Sequence, residues 1–141
     1  MPKASTKSFG TAIKPVDEKI TINLGCVDLG QIDLLVQEGF YANRTDLIRT
    51  AIRNQLSTHG EAVRQAVARK TLSLGIQHFS KADLEALRAA GRKLDIRVLG
   101  LATIDPAVTP DLAMATIESL TVLGALHASP AVKAALSTRI R

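Results

Sequence analysis

Aromatic residues are scarce: Phe, Tyr and Trp make up 3% of the 141 residues, and tryptophan is absent. Proteins that hold single strands of nucleic acid stack bases on aromatic platforms, so this composition disfavours that class. Cysteine occurs once, at Cys26, which excludes an internal disulfide and fits a reducing compartment. No apolar run approaches the ~18 residues of a membrane span, and the polar N-terminus lacks the apolar core of a signal peptide. A cytoplasmic location, with no membrane partner, is expected. Also missing are a glycine-rich phosphate loop, a nucleophile elbow and a helix-borne His-Glu pair, so neither an enzyme nor a cofactor is expected.

What is present is basic and apolar. The net charge is +5 and the pI about 9.7, with hydrophobic residues at 46%. Residues 1 to 70 carry ten Lys or Arg against seven acids, and residues 71 to 141 carry eight against six. The excess is spread over both halves and favours an anionic partner, duplex DNA suiting the composition better than a single strand. Residues 1–16, with Lys3, Lys7 and Lys14 and no acid, read as a flexible basic arm that either adds phosphate contacts or is a tail without a role.

Residues 18 to 56 organise the chain. Lys19-Ile20-Thr21-Ile22-Asn23-Leu24 alternates polar and apolar, so a strand through it puts Ile20, Ile22 and Leu24 on one face and Lys19, Thr21 and Asn23 on the other. Such a strand cannot stand alone in water, and no second one lies nearby. The expected partner is another copy, giving a homodimer with an antiparallel two-stranded ribbon. A helix follows on Val27, Leu29, Ile32, Leu34, Leu35 and Val36, with Gly39 placed for a left-handed C-terminal turn. A second helix starts after Asn43, with Asp46 in its first turn and Leu47, Ile48, Ala51, Ile52 and Leu56 on one face.

Strand I-T-I-N-L, a first helix, then Y-A-N-R-T-D-L-I-R-T-A-I-R resembles the ribbon-helix-helix DNA-binding module of the CopG/Arc/MetJ class over roughly residues 17 to 58. The resemblance implies two interlocked chains whose paired strands enter the major groove, with Lys19, Thr21 and Asn23 reading bases. It also implies a phosphate anchored at the start of the second helix, by Arg44 and Thr45 beside the capping Asn43. The chemistry agrees: Lys donates to guanine, Asn pairs bidentately with adenine, Thr offers a hydroxyl and a methyl, and a helix N-terminus suits a phosphate. The bland alternative is a dimeric scaffold whose polar strand face is merely solvated.

Beyond Gly60 the sequence reads as a connecting helix within 59–70, and from 71 to 141 it repeats. T-L-S-L-G-I-Q-H, I-R-V-L-G-L-A-T and L-T-V-L-G-A-L-H place glycine at 75, 100 and 124, steps of 25 and 24 residues. Each run is followed by a helix-start signal: Ser80 with Asp83, Thr109 with Pro110, and Ser129 with Pro130. Short apolar helices then carry Leu84 and Leu87; Leu112, Met114 and Ile117; Val132, Ala135 and Leu136. Three strand-helix repeats predict a parallel three-stranded sheet with helices on one side, a small α/β solenoid with an uncapped edge that joins dimers, end to end or through the sheet face, or receives a signal; the competing reading is a compact α/β domain whose similar segments are coincidental.

The expected class is therefore α+β: a ribbon-helix-helix head at 17–58 followed by the repeat domain. The expected function is sequence-specific binding of double-stranded DNA, as a repressor on a palindromic operator. An antitoxin, or a polymerising DNA-architectural protein, is the alternative. His78, Thr103 and His127 occupy equivalent repeat positions, but strands two places apart lie about 10 Å from one another, too far for a shared metal. Cys26 is expected as a small, partly buried core residue, the alternative being a thiol that senses oxidants. Asp83, Asp95, Asp105, Asp111 and Glu118 are expected at helix starts and turns.

Overall fold

The computed structural model describes residues 17–141; the basic arm expected at 1–16 lies outside the described residues. The chain forms two compact units, Lys19–Ala66 in one and Val67–Arg141 with Glu18 in the other.

The first unit holds helices α1 (Cys26–Gln37) and α2 (Arg44–Thr58) and the start of α3 (Gly60–Lys70), which crosses the division. Helix α1 ends where glycine permits it: Gly39 adopts φ +88°, and the Phe40 N–H donates to the Leu35 carbonyl at 3.0 Å. Helix α2 opens on a reciprocal cap. The Asp46 N–H donates to the Asn43 side-chain oxygen at 2.8 Å, and the Asp46 carboxylate accepts from the Ala42 N–H at 3.0 Å. The break expected at Gly60 falls one residue earlier, at His59, whose N–H donates to the Gln55 and Leu56 carbonyls. Gly60 is itself the first residue of α3.

Residues 17–25 form neither helix nor strand in the single chain. The ribbon expected at 19–24 has no partner strand here, so no ladder closes its backbone groups. None of the three helices contains a buried residue.

Among the described residues, all the buried hydrophobic ones belong to the second unit. Its elements alternate: β1 (Ser73–Phe79), α4 (Lys81–Ala89), β2 (Leu94–Ile104), α5 (Pro110–Thr116), β3 (Ile117–His127) and α6 (Pro130–Ala135). The three strands make one parallel sheet in the order β1-β2-β3, as the repeat pattern leads one to expect. The three helix starts also lie where their signals stand. Ser80 and Asp83 close a capping box, and the Thr109 and Ser129 hydroxyls accept from the Leu112 and Val132 N–H groups, each at 3.2 Å. Ile96, Val98, Ala102 and Ile104 of β2 and Leu120 of β3 pack with Leu84, Leu112 and Val132 from the helices and with Leu136 just past α6.

Three expectations need correction. Ile117, expected on a helix face, is the first residue of β3. The Thr116 hydroxyl donates to the Leu112 carbonyl at 2.7 Å, and the chain turns extended at Ile117, where a β-branched side chain is more at ease than in a helix. Asp95 and Glu118 lie in strands and cap nothing; Asp95 accepts from Arg97 Nε at 2.8 Å and from the Ser119 hydroxyl. The last edge is not wholly bare either. The Leu120 N–H donates to the Arg139 carbonyl at 3.0 Å and the Arg141 N–H to the Leu120 carbonyl at 2.8 Å, so the C-terminal residues bridge β3 at Leu120. Among the described residues, the outer edge of β1 has no such cover.

The register aligns Gly75 with Gly100 and Gly100 with Gly124. Gly100 adopts φ +138° and Gly124 φ +126°, and a Cβ on either would collide with the carbonyl oxygen of the preceding glycine in the column. The same register aligns three rows on the sheet face opposite the core cluster: Leu74, Leu99 and Leu123; Ile76, Leu101 and Ala125; His78, Thr103 and His127, of which Leu101 is itself buried. Leu74 is 70% exposed and Leu123 49%.

Candidate nucleic-acid interface

Lys19, Thr21 and Asn23 are all exposed, and so are the apolar residues alternating with them: Ile20 is 74% exposed, Ile22 57% and Leu24 42%. Half of this pattern is what a groove-reading segment requires, because polar side chains that meet base edges must be open to solvent. The exposed isoleucines are what a monomer avoids.

The second candidate element is the start of α2. Asn43, Arg44 and Thr45 are exposed. Asn43 spends its side-chain oxygen on Asp46, and the Arg44 and Thr45 amide N–H groups have no acceptor among the described residues. Two free amides at the positive end of a helix form an anion-binding geometry. The Arg44 guanidinium is otherwise engaged. Its Nε donates to Asp33 Oδ1 at 2.7 Å and its Nη2 to Asp33 Oδ2 at 2.8 Å, a fork that ties α2 back to α1. Hydrogen bonding from Arg44 holds the Asp33 carboxyl below the usual carboxylate range, and the same contact raises the affinity of Arg44 for its proton. This pair has no periodic signal in the sequence, since its members are 11 residues apart across a turn. No hydrogen bond joins the strand candidates to those of α2.

The remaining singled-out residues are elsewhere. Cys26, expected as partly buried, is exposed at the first residue of α1, in a unit with no core of its own. His78 Nδ1 lies 2.6 Å from the Thr103 hydroxyl, and His127 Nε2 2.5 Å from the Glu18 carboxylate. Among the described residues no group of three His, Cys, Asp or Glu is placed to hold a metal ion. No described helix is long and apolar enough to cross a membrane.

Comparison with protein families decides the assignment. The model of the ribbon-helix-helix transcriptional regulator family matches residues 15–133, all but the first 14 and the last eight. The chain belongs to that family. Membership in the ribbon-helix-helix regulators implies DNA binding and dimerisation. The match also runs well beyond residues 17 to 58, where the resemblance in sequence is visible, and takes in β1, β2 and β3. Comparison with curated proteins and with solved structures gives no match.

Proposed function

We propose that this ribbon-helix-helix regulator is a homodimeric, sequence-specific repressor that occludes a palindromic operator. Two copies pair residues 19–24 into an antiparallel ribbon. Ile20, Ile22 and Leu24 then face inward against the first two helices, and Lys19, Thr21 and Asn23 face the major groove. The amides of Arg44 and Thr45, beside Asn43, anchor a phosphate. On this reading the head spans 17–58, the connecting helix 59–70 and a solenoid-like repeat domain 71–141.

One observation carries the reading: a unit of well-formed helices with no buried residue and a row of exposed alternating aliphatics. Burying an Ile or Leu side chain contributes about 1.5–3 kcal/mol, so a second copy that covers Ile20, Ile22 and Leu24 supplies the core that one copy lacks. The repeat domain joins dimers at the Leu74 end of the leucine row, on the β1 side of its sheet, where Leu74 meets solvent.

Fluorescence anisotropy on the gene's own upstream DNA and on a random duplex, each across a range of salt, tests the proposal. Phosphate contacts set the salt slope and base contacts set the ratio. A preference of about 10³ or more for the upstream fragment supports an autoregulating repressor. Equal affinity for both rejects sequence-specific binding at that site.

A further inference from the structure

In the second unit, where α3 ends and β2 and β3 begin, the chain shapes an open cavity of about 560 Å³. Four cations line it: Arg69 and Lys70 from the last turn of α3, Arg97 from β2, and Arg141. Leu72 and Leu123 supply an apolar wall, and Thr121 a hydroxyl. No Asp or Glu side chain is in the lining. Asp95, which pairs with Arg97 of the lining, is also engaged by the Ser119 hydroxyl.

We propose that this cavity binds a small organic polyanion, a molecule carrying two or more carboxylate or phosphate groups on an apolar part. Like charges gathered in one concavity repel one another, and an anion seated among them turns that repulsion into attraction. The cations are also held in place before any ligand arrives. Arg97 Nη1 donates to the Lys70 carbonyl at 3.2 Å while its Nε holds Asp95, which fixes the guanidinium at the cavity wall. The backbone of Arg141 is hydrogen-bonded to Leu120, so its side chain starts from a fixed point. The corner between α3 and β1 is turned by Thr71 at φ +55°, a left-handed conformation rare for a β-branched residue. Arg69, Lys70 and Arg141 form no ion pair among the described residues, beyond the longer-range pull of Arg141 on Asp95.

Shape and chemistry decide the class. The volume lies within the ~300–1,000 Å³ common for small-molecule sites. A duplex backbone lies along a stripe of cations and has no use for an apolar wall, whereas a small organic anion presents charge at one end and hydrocarbon or a ring at the other. Arginine forks suit carboxylate and phosphate alike, so the two anion chemistries are separated by experiment.

Isothermal titration calorimetry of the full chain with citrate and with ATP, at low salt, tests the site. Saturable binding of one or both probes, one per chain, is expected, weakened about tenfold by each of Arg97→Gln and Arg141→Gln. Arg69→Gln, on an exposed helix turn, gives the same loss where either of those variants fails to fold. Lys133→Gln, on α6 outside the cavity, leaves binding unchanged. Which probe binds more tightly assigns carboxylate or phosphate. Absence of saturation by about 10 mM of either probe overturns the proposal, as does an equal loss in Lys133→Gln. Displacement of the bound probe by random duplex also overturns it, and gives the patch to DNA phosphates.

Discussion

Arg44 and Asp33 face each other in a two-point ion pair, Nε to Oδ1 at 2.7 Å and Nη2 to Oδ2 at 2.8 Å, across the turn that joins α1 to α2. The pair places an acid beside a helix start whose amides are open, and an acid there competes with a phosphate for the same arginine. Replacing Asp33 by Asn is therefore expected to tighten binding to specific and random duplexes alike. The salt slope should steepen by about one released counterion. Anisotropy across salt reads both. An unchanged slope would remove Arg44 from the set of phosphate contacts.

Acid is expected to loosen both units. Arg44 holds the Asp33 carboxyl low; for Asp95 the Ser119 hydroxyl does so first and Arg97 next. A carboxyl whose folded pKa is depressed stabilises the fold above its unfolded value, about pH 4, and that stability is lost as pH falls through the folded value. Denaturation midpoints should therefore fall more steeply below about pH 4 in the wild type than in Asp33→Asn or Asp95→Asn. Parallel curves would mean that neither carboxyl is linked to folding.

Base readout makes the sharpest distinction within the head. Asn23→Ala and Lys19→Ala are each expected to cost about 1–3 kcal/mol on the operator and to relax preference at one base position. Binding to random DNA should hardly change for Asn23→Ala, which removes no charge. Equal losses on both duplexes would take Asn23 off the reading face.

The glycine column predicts an order of damage. A methyl at Gly75 meets open space but still faces φ +116°, so Gly75→Ala should cost about 1–3 kcal/mol from backbone strain alone. Gly100→Ala and Gly124→Ala add a collision with a neighbouring strand's carbonyl, so both should be more damaging than Gly75→Ala. Urea midpoints of the three variants rank them. Equal losses would contradict the close approach of the strands.

If the leucine row joins dimers, a charge in it should separate them. Leu74→Lys places an ammonium where the side chain is 70% exposed in the single chain, so the fold should tolerate it. Light scattering after gel filtration should then report dimers where the wild type forms larger species. Unchanged mass would move the contact elsewhere.

Much of this was legible in the sequence because local chemistry and final structure agree. Ser80, Thr109 and Ser129 announce their helices through hydrogen bonds that span three residues, and the 24- and 25-residue steps of Leu-Gly announce a parallel sheet before any contact is known. What stayed hidden depends on distant neighbours. Arg139 donates to the carbonyls of Met114 and Ile117 at 2.6 and 2.7 Å, and no pattern in the tail foretells that it will lie against β3. The cationic cavity draws residues from 69 to 141, a gathering that only the folded chain makes. The Asp33–Arg44 fork is hidden for a related reason, since pairs across a turn follow no helical period. Ile117 shows a different limit: its apolar spacing fits a helix, and the choice of strand came from the partner waiting at Leu94.

The bridge at Leu120 makes the two edges of the sheet unequal. Beside β1 an added strand can pair along the whole length, whereas beside β3 the C-terminal residues already occupy Leu120 and leave the residues past it. A strand from another copy therefore finds its longer track at β1.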